Sequence, residues 1–312
     1  MNETNSSNRQ VWLAILLLAT LCLAGIVEPV AAAPRGSPWG ANFFPNSVLI
    51  NQDGKKLRFY DDMLKGKVVM INFVYAGCKD ACPLETAKLR QVQEALGDRV
   101  GRDIFMYSIT IDPKHDTPAR LKEYAKRYKV APGWQFLTGK EAEINQLRQK
   151  LGLAEEGEGR SDHTMNLIVG NEATGQWKQR STFDNPKVLA RVLGDELFNF
   201  SRPAVADGSY AAAPHTITID PGEDLFRRRC QVCHTVGAGD TLGPDLAGVT
   251  RNRDRNWLVR WLKTPDQVLA EKDPIAQTLF TRYNQVIMPN LRLSDRDVDV
   301  LLEYLDSRGG TM

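Results

Sequence analysis

"KVVMINFVYAGCKDACPLETAKLR", Lys67 to Arg90, runs from a Val-, Ile- and Phe-rich stretch into two cysteines and then into text of helical spacing. The first part reads as a central strand buried on both faces. Pro83 suits the first turn of a helix, and "ETAKLRQVQEALGD" continues with helical periodicity. The same alternation repeats downstream. "DIFMYSITID" is a second buried strand, and "TPARLKEYAKRY" is a helix with Thr117 as cap and Pro118 at its first position. "WQFLTG", "EAEINQLRQKLG", "HTMNLIVG" and "NPKVLARVLGDEL" carry the pattern to about residue 200. The expectation over 40–200 is an α/β domain with a mixed sheet.

Residues 201–217 are rich in Ala, Pro and Ser, lack periodicity and read as a linker. Over 218–309, three helical stretches separated by loops ("DPGEDLFRRRC", "RDRNWLVRWLKTP" and "SDRDVDVLLEYLDS") predict a small all-α domain. The whole chain, 312 residues with 25% charged and 42% apolar, has room for two modest domains. Its net charge is +2, and residues 215–312 hold 13 Lys and Arg against 14 Asp and Glu. Neither number suggests a nucleic-acid footprint, so no nucleic-acid partner is expected.

The first 33 residues read as a signal peptide or a membrane anchor. "VWLAILLLATLCLAGIV", residues 11–27, contains no charge, and Val30-Ala31-Ala32 offers a small-residue cleavage site. Seventeen residues stand at the short end of what spans a bilayer. Either way the rest of the chain is expected outside the cytoplasm, in the periplasm, soluble or tethered to the inner membrane. With Cys22 set aside in that segment, four cysteines remain as two local pairs. In an oxidising compartment that usage points to chemistry and not to a disulfide framework.

"CQVCH", Cys230 to His234, is the attachment motif for c-type haem. Each cysteine can form a thioether while the adjacent histidine offers its imidazole to iron. The motif ends an amphipathic helix, "GPDL" follows at Gly243, and "MPNLRLSDRDVDVLLEYL" closes the chain. This part resembles class I cytochromes c. The resemblance implies covalently bound haem c with His234 and Met288 as axial ligands and Pro244 packed near the proximal histidine. His/Met ligation raises the reduction potential and suits electron transfer.

Cys78 and Cys82 stand at i and i+4 before a helix, where unpaired N–H groups favour thiolate. Thiolate is both a nucleophile in disulfide exchange and a soft ligand for Cu(I), so the spacing alone leaves both roles open. "CKDACP", "IDPKHDTP" (Ile111–Pro118), "WQFLTG" and "DHTMNLIVG" (Asp162–Gly170), found together and in this order, look like the Sco/SenC family. That resemblance implies a thioredoxin-like fold and copper held by Cys78, Cys82 and His163. It also implies, as partner, the copper-accepting subunit of cytochrome c oxidase. Lys79 stands where that family commonly has proline; its positive charge is expected to stabilise thiolate. His115 and His215 read as solvated, and Met70, Met106 and Met165 as core. Asp112, Asp116 and Asp162 read as capping or loop residues more readily than as site residues.

The leading expectation is a copper chaperone with a fused electron-transfer domain. The runner-up is a haem-linked thiol–disulfide oxidoreductase using Cys78 and Cys82 as its redox-active pair. A redox sensor and a thioredoxin-like peroxidase are weaker readings. A dithiol gives up two electrons and a haem takes one, which favours copper as the one-electron partner.

Overall fold

Val68–Val74 is a strand, β3, whose seven residues are all buried. It lies inside a seven-stranded sheet ordered β2-β1-β5-β4-β3-β6-β7, between β4 and β6. The other strands are β1 (Val48–Asn51), β2 (Lys56–Arg58), β4 (Ile104–Thr110), β5 (Trp134–Gly139), β6 (Asn166–Asn171) and β7 (Gln176–Ser181). β3, β4 and β5 are parallel; β6 pairs antiparallel with β3 and β7 with β6. A hairpin of β1 and β2 extends the other edge. This computed structural model describes residues 39–154, 165–198 and 220–309. The export segment with Cys22, the linker 201–217, and Asp162, His163 and His215 lie outside the described residues.

Helix α1 (Ala81–Leu96) follows β3, α2 (Pro118–Arg127) follows β4, α3 (Glu141–Lys150) follows β5, and α4 (Pro186–Arg191) follows β7. The β3-α1-β4 crossover with an antiparallel β6-β7 pair beside β3 is a thioredoxin-like arrangement, as expected. Thr117 caps α2 through its side-chain oxygen, which accepts from the Arg120 N–H, with Pro118 in the first turn. The apolar cluster on the α1 side of the sheet takes Leu89, Val92 and Leu96 from that helix. Each such buried side chain is worth about 1.5–3 kcal/mol. The register of the centre is set by polar groups as well. Trp134 Nε1 donates to Ser108 Oγ at 2.9 Å, and that hydroxyl donates to Asn72 Oδ1 at 2.7 Å, linking β5, β4 and β3. A one-residue slip would leave these buried groups unpaired.

β1, β2 and β7 were not among the strands expected from the sequence. β1 and β2 are only four and three residues long, and β7, "QWKQRS", lies at the sheet edge with little burial. The second half is all-α: α5 (Pro221–Leu225) continued by a wide π-type turn Phe226–Cys230, then α6 (Val249–Asn252), α7 (Arg255–Lys263), α8 (Pro265–Ala270), α9 (Pro274–Arg282) and α10 (Asp295–Arg308). The three expected helical stretches are present, and α6, α8 and α9 add to them. α10 begins with a reciprocal cap in which Ser294 and Asp297 each satisfy the other's backbone N–H. Phe226, Leu258, Val298, Leu301, Leu302 and Leu305 form the core of this half.

The described residues of both halves belong to one compact unit. Val232 and Leu242 of the helical half are buried in the same apolar cluster as Leu84 of α1, and Lys129 Nζ donates to the Thr241 carbonyl at 2.8 Å. The first two turns of α1 are buried on nearly every side: Leu84 meets the helical half, while Glu85 accepts from Thr182, Thr86 bonds Tyr124 and Lys88 lies over the Phe183 ring. Among the described residues, no helix is long and apolar enough to cross a membrane.

Candidate functional sites: a cysteine pair and an apolar cavity

Cys78 sits in the loop that leaves the C-terminal end of β3, and Cys82 in the first turn of α1. The crossover therefore brings both to one edge of the parallel strands. Both are free thiols and both are buried. The Cys82 thiol donates a hydrogen bond to the Cys78 sulfur, and this is the largest cause holding the Cys78 pKa below the ordinary thiol value. Burial opposes it; the backbone N–H groups of Cys82 and Asp80 and the Tyr75 hydroxyl assist. Cys82 moves the other way. Burial raises its pKa well above the usual range, and its bond to the Cys78 sulfur, the negative charge of Cys78 and that of Glu85 add to this.

The helix start favours thiolate without choosing between the two cysteines; the structure separates them. The free N–H groups of the first turn reach back to Cys78, while Cys82 is too deeply buried to ionise first. Lys79 is exposed and is not among the leading causes of the Cys78 shift.

The loop carrying Cys78 is anchored from the next crossover. Asp116, fully buried, accepts from the Ala76 N–H at 2.9 Å and from Thr110 Oγ1 at 2.6 Å, and Arg120 approaches its other oxygen at 3.4 Å. Asp116 is thus a structural member of the site, at the start of "DTP". Tyr75, which hydrogen-bonds Cys78, was missed; a tyrosine leaving a strand before a cysteine loop carries no distinctive pattern. His115 is exposed and bonded to Asp112 at 2.8 Å. Met70 and Met106 are core, whereas Met165, expected there too, is about half exposed one residue before β6. His163 lies outside the described residues. Among those described, no three His, Cys, Asp or Glu side chains cluster as a metal site.

The second pair lies in the helical half. Cys230, Cys233, His234 and Met288 line one cavity of about 470 Å³, walled by apolar side chains from α7, α9 and α10 that include Trp257, Leu258, Phe280 and Leu301. The cavity is open to a flat apolar group with two thiols and a histidine along it. His234 Nδ1 donates to the Pro244 carbonyl at 2.9 Å, which orients the ring and leaves Nε2 for a metal. Burial lowers the His234 pKa, keeping the imidazole neutral as a ligand requires. Gly243 lies flat against that ring; a Cβ there would stand 2.6 Å from its Cε1. Burial pushes both Cys230 and Cys233 up to about 12, so neither is poised for disulfide exchange. The residues fit a haem.

The SCO1/SenC family description matches residues 38–193, and the cytochrome c description matches 219–309. A SCO2-like protein of Rickettsia conorii is 40% identical over 102 residues, covering 33% of this chain and 47% of its own length. The match thus spans about half the length of the curated relatives. ScoI of Bradyrhizobium japonicum, solved with copper bound, is 27% identical over 47% of this chain and 94% of its own, with a TM-score of 0.40. The cytochrome c domain of a Pseudomonas putida protein is 56% identical over 28% of this chain and 87% of its own, with a TM-score of 0.27. The chain belongs to the SCO1/SenC family and carries a cytochrome c domain behind its thioredoxin-like one.

Proposed function

We propose that this chain is an exported copper chaperone with a built-in electron carrier. Cys78, Cys82 and His163 take copper as cargo and pass it to the copper-accepting subunit of a respiratory cytochrome c oxidase. The observation that carries this reading is the buried pair of free cysteines, Cys78 and Cys82, in which Cys82 donates a hydrogen bond to the Cys78 sulfur and lowers its pKa. Two thiolates and an imidazole suit copper, whereas a closed structural zinc would want a fourth ligand. A putative copper-binding protein of Stutzerimonas stutzeri, 28% identical over 162 residues and matched over 78% of its length, supports the same cargo.

Cys230 and Cys233 would hold haem c through thioethers, with His234 and Met288 on its iron. Bound there, the haem supplies single electrons at a potential raised by the methionine sulfur. The chain's own part is to hold His234 by Pro244, to keep water from the apolar cavity, and to place the domain against α1.

A second reading, a thiol–disulfide oxidoreductase, is favoured by one feature: Cys78 as activated nucleophile with Cys82 as the partner that closes the disulfide. An anaerobic Cu(I) competition titration of the reduced protein separates the two. One tightly held copper per chain, weakened at least tenfold in His163→Ala, is the chaperone's result. Weak binding indifferent to His163 would leave the oxidoreductase.

A further inference from the structure

Three groups of observations meet on one surface of α1. Leu84, two residues beyond Cys82, lines the same cavity as Cys230, Cys233, His234 and Met288. Val232, between the two haem-motif cysteines, and Leu242, before Gly243, are buried in the cluster that also contains Cys78, Cys82 and Leu84, with Cys233 packed against it. Tyr124 and Tyr128 complete the contact from α2 and its end. Their rings lie 4.7 Å apart; the Tyr124 hydroxyl shares a hydrogen bond with Thr86 Oγ1 at 2.8 Å and reaches the Cys82 carbonyl at 3.4 Å. Tyr128 is buried in the same apolar cluster as Cys78, Cys82, Val232 and Leu242, with Cys233 packed against that cluster, so it touches the surroundings of both cysteine pairs. The next residue, Lys129, adopts a left-handed φ of 54° and uses its amine to hold Thr241. A lysine held in that region is a costly choice that tertiary contacts must offset.

We propose that the face around Val232, Cys233 and Leu242 is a built-in docking surface for α1, and that Leu84 and Tyr128 at its centre are the contact through which the haem site and the Cys78–Cys82 site exchange single electrons. The proposal rests on the function proposed above and adds the route. The exchange is one electron: Fe(II) and Cu(II) on one side, Fe(III) and Cu(I) on the other, with no proton or bond changing hands. Tunnelling weakens steeply across gaps and less steeply through packed atoms, so a dry contact of buried side chains is a suitable bridge. Tyr128, kept neutral by its surroundings, serves as packed matter and not as an oxidised intermediate. Leu84 and Tyr128 are positioning residues: neither is a ligand.

The test uses the full haem-bearing protein. Val232 is apart from the haem-cavity lining, so Val232→Glu attacks the docking surface and spares that lining. The first readout needs no copper: hydrogen exchange of residues 84–94, which the account expects to be protected in the parent protein and to speed at least tenfold in Val232→Glu, with the haem spectrum unchanged. The second mixes ferrous protein with one equivalent of Cu(II) and follows haem oxidation. A first-order phase independent of protein concentration is expected, slowed at least tenfold in Val232→Glu and in Tyr128→Leu and restored in Tyr128→Phe. A rate that scales with protein concentration, or one unaltered by Val232→Glu, would overturn the route; so would equal exchange over 84–94 in both proteins. Failure of copper to bind in the separate Cu(I) titration would sink the chaperone reading, while the exchange experiment would still decide the docking.

Discussion

The Cys82 thiol donates to the Cys78 sulfur; that bond lowers the Cys78 pKa, while burial first and the same bond second raise that of Cys82. The lowered pKa of Cys78 means that its reactive thiolate is populated at lower pH than in an ordinary thiol. Alkylation of the metal-free protein, followed by mass spectrometry across pH, is therefore expected to label Cys78 first, with a midpoint below the ordinary thiol value. Cys82 should react only at much higher pH. Cys82→Ala removes the largest stabilising bond and should move the Cys78 midpoint upward; a midpoint that stays put would contradict this pairing.

Asp116 holds the Cys78 loop through the Ala76 N–H and Thr110. Asp116→Ala leaves that buried N–H without its acceptor, which costs about 1–3 kcal/mol. Urea unfolding should show a loss of that order. The Cu(I) affinity of the still-folded variant should fall as well, because the loop that presents Cys78 is released. Unaltered stability would show that the loop is fixed by something else.

Gly243 admits the His234 ring. Gly243→Ala would push a methyl group to 2.6 Å from the imidazole unless the loop shifts. A lower yield of haem-bearing protein is expected, or a loss of the His/Met absorption band in what is recovered. Full haem content with an unchanged spectrum would mean that the loop gives way freely.

Met288 shares the cavity with His234. Met288→Ala should open the sixth position, allow carbon monoxide to bind the ferrous protein and lower the reduction potential. The parent protein should bind carbon monoxide poorly. Equal binding by both would remove Met288 from the iron.

Much of this was legible before any coordinates. β3, β4 and α2 announce themselves by apolar runs and by the Thr117-Pro118 start, because fully buried strands and capped helices constrain local sequence tightly. β7 was not legible, since an exposed edge strand such as "QWKQRS" needs no apolar alternation. α9 offered a readable signal in Asp273 followed by Pro274, where the aspartate accepts from the Ile275 and Ala276 N–H groups. At the sites, both cysteine pairs and His234 are visible as motifs, while the identity of the thiolate is not. That depends on the burial of Cys82, a tertiary fact. The contact of Leu84 with Val232 and Leu242 is equally silent, because buried leucines and valines look alike wherever they pack.

The central claim is that Cys78, Cys82 and His163 hold copper together in a chain that also carries haem. Copper-edge X-ray absorption on the Cu(I)-loaded, haem-bearing protein tests it most directly. Two sulfur scatterers and one imidazole nitrogen are expected, the nitrogen disappearing in His163→Ala and a sulfur in Cys78→Ala. A shell of oxygen and nitrogen alone, or one unchanged by both substitutions, would contradict it.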